Sequence, residues 1–386
     1  MSLGATTTRG RCPGCEWGAG MKGILAMAAV GAVLAATAVP APAAAAATGC
    51  ERTGDYTVCR TDPKGGKDAS IVDELVRQID ATRKGDTVRA AVYQWTLEPR
   101  IAPLADAMVE AERRGVDVRA VVGQRADKPA ANDPVIRRLK GAGVKVHQCE
   151  GGCLPNAAGT RKGPDHNRFF LIDRGGSPTV LVTSFSFTKS HLKQAHNLLG
   201  VHGDQRLYDF YEGFWNRLYS EDWDGWTDKN KSTTGDLARA WVFPRGDDAV
   251  AGQLKEITGC GDGDRVLVGH ANFQSNRPAV RAQLDRIQGL GCQVRVVVLD
   301  AKTSHPKWVE EKLGASNVRV HPYSRNKFIV AEAQFGDRHR AVVWTGTHNL
   351  QGNAMKNVDD NVLRVADQGV ADLYASYFQR LWNGAR

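Results

Sequence analysis

The segment around His166 carries residue types that could bind and attack a phosphate group. Gly163 and Pro164 precede it as a loop signal, and the apolar run 169–172 follows it as a strand signal. Residues two positions apart on an extended chain point the same way, so His166 and Arg168 can face one anion together. A guanidinium neutralises phosphate oxygens, and a neutral imidazole can act as a nucleophile. This segment is therefore a candidate phosphodiester site.

A second segment of the same kind lies in the C-terminal half. Arg325 and Lys327 are again two positions apart, and an apolar strand pattern follows them as far as Glu332. Downstream of each segment comes a short stretch of hydroxyl and amide side chains, which are hydrogen-bond donors for phosphate oxygens. These side chains are Ser184 and Ser186 in the first half, and Thr347 and Asn349 in the second half. Together with the cations they would neutralise the nonbridging oxygens of a phosphodiester.

The two segments belong to an internal repeat that covers most of the chain. Matching segments recur in the same order in both halves, and this shared order is hard to obtain by chance. The matches pair Gly85–Val88 with Gly263–Val266, Gly115–Arg119 with Gly291–Arg295, Val144–His147 with Val318–His321, and Asp209–Tyr219 with Asp372–Trp382. The repeat therefore places the two candidate segments at equivalent positions of two similar halves.

Each half alternates helical and extended patterns. Apolar residues at helical spacing within 71–79 precede an alternating strand pattern within 88–92, and the same order recurs at 101–111 and 116–122. Such alternation is typical of βαβ units. We therefore predict an α/β fold with two similar α/β/α sandwich lobes and mainly parallel sheets.

The predicted boundary between the lobes lies near residue 232. The segment 226–235 is rich in Gly, Asp, Lys and Thr, which is typical of a linker, so we predict a first lobe at 48–232 and a second at 233–386. The last helix of the first lobe carries an apolar stripe, which we interpret as core rather than as a ligand-stacking surface. The stripe comprises Leu207, Phe210, Tyr211, Phe214 and Leu218.

The candidate segments resemble the signature motif of the phospholipase D superfamily, which has a His, a Lys two residues later and an Asp five residues after the Lys. In the first half these positions hold His166, Arg168 and Asp173. The resemblance implies a duplicated fold with one shared site and a phosphohistidine intermediate on His166. It also implies that the acid of each motif steadies the residue at the His position of the other. Glu332 would then lie beside His166, and Asp173 beside Arg325.

The second segment departs from that motif at the His that protonates the leaving oxygen in the family. Arg325 occupies this position, and a guanidinium is a poor general acid because it stays protonated at any working pH. His321 or His348 could replace it, although each taken alone is more often a surface or structural histidine. The sequence therefore leaves the proton donor open. It contains no convincing metal cluster, so we predict catalysis without a metal or cofactor.

Residues 1–47 are interpreted as an export signal with an upstream extension. Lys22 supplies the positive start, the run 24–39 the apolar core, and the Ala-rich stretch after Pro42 a cleavage region. We therefore predict a secreted, extracellular protein that begins near Thr48.

Six cysteines follow residue 47, and an even number in an exported chain favours disulfides over metal ligation. The sequence alone leaves several connectivities open. Proximity along the chain suggests the pairs Cys50 with Cys59, Cys149 with Cys153, and Cys260 with Cys292.

Composition and charge limit the function without choosing the substrate. With 42% hydrophobic and 24% charged residues, the chain is globular rather than disordered. Its net charge is +9, and +7 without residues 1–47, because these contain three basic side chains and one acidic side chain. This charge suits an anionic membrane surface or nucleic acid.

We predict a phospholipase D-like phosphodiesterase that hydrolyses phospholipids as a monomer, since one chain holds both motifs. Two alternatives stay open. One is a nuclease of the same mechanism, which the net positive charge permits. The other is a noncatalytic phosphate-binding protein, because the second motif has Arg325 in place of His.

Overall fold

The computed structural model describes residues 48–62, 64, 66–160 and 163–386. The predicted export signal at 1–47 lies outside these residues. The described part of the chain forms two α/β lobes, each built on an eight-stranded sheet with helices packed against it.

The first lobe contains the elements β1 to β8 and α1 to α4. Its strands are β1 Gly49–Thr53, β2 Tyr56–Arg60, β3 Thr87–Val92, β4 Asp117–Val122, β5 Lys145–Gln148, β6 Arg168–Asp173, β7 Pro178–Thr183 and β8 Asn197–His202. Its helices are α1 Ser70–Asp80, α2 Ala102–Arg113, α3 Asp133–Gly141 and α4 Gln205–Ser220, with 3-10 turns at Pro129–Asn132 and His191–Lys193.

The second lobe repeats this order with β9 to β16 and α5 to α9. Its strands are β9 Ala238–Val242, β10 Ile257–Gly259, β11 Arg265–His270, β12 Gln293–Val298, β13 Val318–Val320, β14 Lys327–Phe335, β15 Arg338–Gly346 and β16 Asn361–Ala366. Its helices are α5 Ala249–Leu254, α6 Pro278–Gly289, α7 Pro306–Leu313, α8 Gly352–Asn357 and α9 Gln368–Gly384, with a 3-10 turn at Ala315–Asn317. The predicted boundary at 232 lies between α4 and β9.

Both sheets are mixed, so the prediction of two similar α/β lobes is confirmed but the prediction of mainly parallel sheets is wrong. The strand orders are β1-β2-β8-β7-β6-β3-β4-β5 and β13-β12-β11-β14-β15-β16-β9, with β10 also beside β14. Only β3-β4-β5 and β11-β12-β13 pair in parallel. Short turns join β6 to β7 and β14 to β15, and a hairpin turn forces its strands to be antiparallel.

A single hydrophobic core extends across both lobes. It takes in the stripe of α4, where Leu207, Tyr211, Phe214 and Leu218 are buried and Phe210 packs against them, as predicted. Aromatic side chains of α9 lie in the same core. Burying each such side chain contributes about 2–3 kcal/mol relative to leaving it exposed. The two lobes are therefore held together at the level of their core.

The three predicted disulfides, Cys50–Cys59, Cys149–Cys153 and Cys260–Cys292, are all present. Within the residues that the structure describes, every helix is too short or too polar to cross a bilayer.

Candidate active site

The candidate segments meet where two equivalent strands begin. Arg168 is the first residue of β6 and Lys327 the first of β14, and these side chains are only 2% and 6% exposed. The preceding loops make equivalent hydrogen bonds across the seam between the lobes. The backbone N–H of His166 donates to the carbonyl of Asp359, and that of Arg325 donates to the carbonyl of Ala195, both at 2.9 Å. The repeat thus brings both segments to one place.

The loop that carries His166 is fixed to the second lobe. Gly163 has φ +79°, and a Cβ at this position would collide with the carbonyl oxygen of Asn357, so only glycine fits here. The buried carboxylate of Asp359 accepts the backbone N–H groups of Cys153 and Leu154 at 2.6 and 3.2 Å. The first-lobe loop therefore enters the site at a position that the second lobe determines.

His166 is held in the tautomer that a nucleophile needs. Its Nδ1 lies 2.8 Å from Oδ1 of the fully buried Asp360, which fixes Nδ1–H as the donor and leaves the lone pair on Nε2. Burial, followed by the charges of Arg168 and Lys327, holds the pKa of His166 well below its ordinary value. The imidazole is therefore neutral at physiological pH.

Asp360 comes from the second lobe and is surrounded by groups that favour its ionised form. Burial raises the pKa of this carboxyl, and a hydrogen bond from Thr347 and the charges of Arg168 and Lys327 oppose that effect. The carboxylate thus orients His166 and lies between the two motif cations.

The two motif cations are buried without a carboxylate of their own. Arg168 donates from Nε to Ser186 Oγ at 2.8 Å and from Nη1 to the carbonyl of His166 at 3.1 Å. Burial lowers its pKa to about 10, and burial with the charge of Arg168 lowers the pKa of Lys327 strongly. Among the described residues, neither cation has a carboxylate oxygen within ion-pair distance. Buried cations of this kind require a counter-ion, and a phosphate anion would supply it.

The predicted hydroxyl and amide side chains all lie at this seam, but they have different neighbours. Ser186 accepts from Arg168, whereas Thr347 Oγ1 accepts the backbone N–H of Asn361 at 3.1 Å. Ser184 is the equivalent of Thr347 and accepts the backbone N–H of Asn197 at 3.1 Å. Asn349 is buried, and its Oδ1 has no partner among the described residues. Ser184 and Thr347 therefore brace the site, and Ser186 and Asn349 stay candidates for contact with phosphate.

The expected positions of Glu332 and Asp173 are wrong. Glu332 pairs with Arg265 at 3.0 Å, and Asp173 accepts the backbone N–H of Gly176 at 2.9 Å. Both lie toward the far ends of strands whose first residues form the site, and an extended strand carries its fifth residue roughly 17 Å away. The acid beside His166 is Asp360 instead.

Arg325 also has a different acidic neighbour from the one expected. It lies close enough to Asp300 for its charge to lower the pKa of that carboxyl. Backbone and side-chain hydrogen bonds from Thr303 help to hold Asp300 in its ionised form.

Neither histidine suggested by the sequence is free to donate a proton to substrate. His348 is 2% exposed, stacks on Phe243 at 3.9 Å, and accepts a hydrogen bond from Arg277 at Nε2. Its Nδ1 faces Asp360 at 3.8 Å. His321 accepts the backbone N–H of Tyr323 and lies near Asp62, outside the cation cluster.

Three site residues were missed by the sequence interpretation: Asp360, His191 and His196. The repeat contained a signal for two of them, because His196-Asn197 in the first half corresponds to Asp360-Asn361 in the second. In the structure each asparagine begins an equivalent strand, β8 or β16. For His191, which lies in a 3-10 turn, the sequence offers no comparable signal.

Groups with metal-ligand spacing occur twice among the described residues. Each of these groups includes a cysteine that is engaged in the disulfide Cys149–Cys153. A disulfide sulfur is not a thiolate and does not provide the usual ligand.

We expect the free energy of unfolding to fall as the pH drops from 7 to 5. Burial is the main cause of strongly lowered pKa values at His166, His191, His196, His270 and His348. Below their ordinary value of 6.5 the unfolded chain binds protons that the folded chain excludes, so acid favours unfolding. Each such proton contributes roughly 1.4 kcal/mol per pH unit.

Three buried carboxyls act in the opposite direction, because their raised pKa values let the folded chain bind protons that the unfolded chain releases. These are Asp165, with a pKa of about 6, Asp359 and Asp360. The five histidines outnumber them, so the net effect keeps its sign. Urea unfolding midpoints measured at both pH values test this expectation, and an unchanged or higher midpoint at pH 5 would contradict it.

Comparisons with known proteins agree with this geometry. The family model described as "Cardiolipin synthase, PLD-like domain" matches residues 75–219 and 254–382, one stretch in each lobe. A search of curated protein sequences finds no match.

Solved structures share the fold at low sequence identity. Phosphatidylserine synthase from Haemophilus influenzae is 11% identical, with a TM-score of 0.58 and 85% of each chain covered. Polyphosphate kinase from Porphyromonas gingivalis is 14% identical, with a TM-score of 0.54 over 85% of this chain, which spans 50% of the kinase. Nuc from Salmonella typhimurium, a phospholipase D family member, is 21% identical with a TM-score of 0.33, and the match covers 43% of this chain and 95% of Nuc. The family match covers most of both lobes and includes both motifs, so the chain belongs to the phospholipase D superfamily, within its cardiolipin synthase-like family.

Proposed function

We propose that the chain is a phosphodiesterase that hydrolyses phospholipids through a covalent phosphohistidine on His166. One observation carries this proposal: an imidazole with a free Nε2, oriented by Asp360, lies among buried cations that lack a counter-ion. A noncatalytic phosphate-binding protein would need the cations, but it would not need an oriented neutral imidazole.

The chemistry follows from these positions. Arg168 and Lys327 neutralise the nonbridging oxygens, which removes the charge that repels a nucleophile. Nε2 of His166 forms a bond to phosphorus while the bond from phosphorus to the leaving oxygen breaks, and that oxygen takes up a proton. Water then attacks phosphorus, loses a proton, and displaces His166.

Several observations support a phospholipid as the substrate. The matching family is described by a cardiolipin synthase, and one solved structure of the same fold is a phosphatidylserine synthase. The three disulfides suit an oxidising compartment, which fits the proposed export to the cell exterior. Both motifs lie in one chain, which suits a monomer.

A nucleic acid is the second candidate, and a basic cavity favours it. A cavity of about 510 Å³ adjoins the site, and its lining includes Arg125, Lys128, Lys189 and Lys193. It is formed by the chain next to Tyr93 and His191. Such a cavity could follow a polyanionic backbone beyond the cleaved bond.

Turnover of matched substrates tests the two candidates. We expect purified protein to release head group from vesicles of phosphatidylcholine with anionic phospholipid, and to leave a single-stranded oligonucleotide uncut. Cleavage of the oligonucleotide with an affinity that falls steeply between about 50 and 200 mM salt would instead favour the nuclease. Absence of turnover on lipids, oligonucleotides and nitrophenyl diesters alike would refute both proposals and support phosphate binding alone.

A further inference from the structure

A third histidine lies in the site on the side of the second motif. The 3-10 turn His191–Lys193 carries His191 next to Ser186, which holds Arg168. The charges of Arg168, Arg325 and Lys327 all act on His191, and His191 in turn acts on His166. His191 therefore belongs to the same cluster as the nucleophile, although it lies outside both motifs.

The hydrogen bond to Ser186 determines which nitrogen of His191 can carry a proton to the substrate. The backbone N–H of Ser186 donates to Nδ1 at 3.0 Å, so Nδ1 holds a lone pair and Nε2 holds the hydrogen. Among the described residues Nε2 has no hydrogen-bond partner, and it is not among the buried unpaired atoms. His191 thus presents an accessible N–H, whereas His166 presents a lone pair.

A second histidine supports this ring from below. His196 stacks on His191 with ring centroids 4.8 Å apart and an angle of 16° between the planes. His196 is fully buried, its Nδ1 lies 3.1 Å from Ser184 Oγ, and its Nε2 is buried without a partner. Its place in the repeat is that of Asp360, so the repeat gives each imidazole in the site a supporting side chain.

The other side chains that could protonate a leaving group are less suitable. Arg325 is a guanidinium, and Nε2 of His348 already accepts from Arg277. The buried Nε2 of His196 is closed off from solvent. His191 alone among these combines a titratable ring, a fixed tautomer and an accessible nitrogen.

On the basis of the proposed function, we propose that His191 is the catalytic residue that protonates the leaving oxygen, in place of the histidine that Arg325 replaces. As Nε2 of His166 bonds to phosphorus, the bond to the leaving oxygen breaks and the Nε2 proton of the His191 imidazolium moves to that oxygen. In the second step water gives a proton back to Nε2 of His191 and bonds to phosphorus, and the bond from phosphorus to His166 breaks. Protons and bonds balance over the two steps.

The bound phosphodiester supplies the charge that this role requires. In the empty site burial and three neighbouring cations lower the pKa of His191. An anionic phosphate among the same cations offsets their charge and favours the imidazolium. The donor is thus protonated when substrate is bound.

Leaving-group dependence tests the proposal, because a proton donor matters for an alkoxide and hardly at all for nitrophenolate. In His191→Asn the amide oxygen can still accept the N–H of Ser186, so the turn keeps its hydrogen bond. We expect kcat for phosphatidylcholine to fall by about 10²–10⁴-fold, and kcat for a nitrophenyl phosphodiester by less than about tenfold. His191→Gln should give the same pattern, and it serves as a second variant if His191→Asn fails to fold.

His339→Asn is the matched control, since His339 is an exposed histidine paired with Asp264, and it should change neither rate. An equal loss on both substrates, or no loss on either, would overturn the role of His191. Failure of the proposed function gives a different result: the wild type would then lack turnover of both substrates, or would keep it after His166 is replaced.

Discussion

His166→Asn should abolish turnover of every phosphodiester substrate, lowering kcat by about 10⁴-fold or more. The reason is that asparagine can still donate a hydrogen bond to Asp360 but offers no lone pair that can bond to phosphorus. The loss should be independent of the leaving group, unlike the loss in His191→Asn. Head-group release from vesicles and release of nitrophenolate measure it.

The same variant should form no phosphorylated protein. Acid quenching during turnover of a substrate labelled at phosphorus should leave label on wild-type protein and on His339→Asn, and none on His166→Asn. A labelled His166→Asn protein, or a variant that retains more than about a hundredth of wild-type kcat, would assign the nucleophile to another residue.

Asp360→Asn should lower kcat by about a thousandfold or more, whereas Glu332→Gln should leave it unchanged. An amide can donate to Nδ1 of His166 and thereby place the hydrogen on Nε2, which is the unreactive tautomer. Glu332 pairs with Arg265 at a distance from the site, so its charge has no role in orienting the imidazole.

This pair of variants separates the observed arrangement from the one that the motif resemblance implied. Steady-state kinetics on the nitrophenyl diester and thermal unfolding should be measured for both proteins. A large loss in Glu332→Gln with native stability, together with a small loss in Asp360→Asn, would contradict the assignment of Asp360.

The sequence was sufficient to predict the convergence of the two motifs, because convergence depends on the repeat. Arg168 and Lys327 occupy equivalent positions, and two similar lobes that share a core bring equivalent strand starts together. The three disulfides were also predictable, since each joins cysteines that are near neighbours in the chain or in one half.

The orienting acid could not be predicted in the same way. The family motif places an acid five residues after the cation, and on an extended strand that position leaves the site. Asp360 comes instead from the loop before β16, and only the folded arrangement of the lobes brings that loop against His166. His191 was missed for a related reason, because a single histidine in a short turn has no periodic pattern around it.

The strand directions were mispredicted because the apolar patterns do not distinguish parallel from antiparallel neighbours. The βαβ pattern does hold for β3 to β5 and for β11 to β13. Beyond these strands the chain turns back through hairpins, for which Gly175 and Gly176 between β6 and β7 were the available signal.

The most direct test of one phosphate pocket shared by both lobes is a crystal structure of the protein with orthovanadate, a mimic of the phosphoryl group in transfer. We expect vanadium to be bonded to Nε2 of His166, with its oxygens contacted by Arg168 from the first lobe and Lys327 from the second. Vanadate bound within one lobe, or away from His166, would contradict the account.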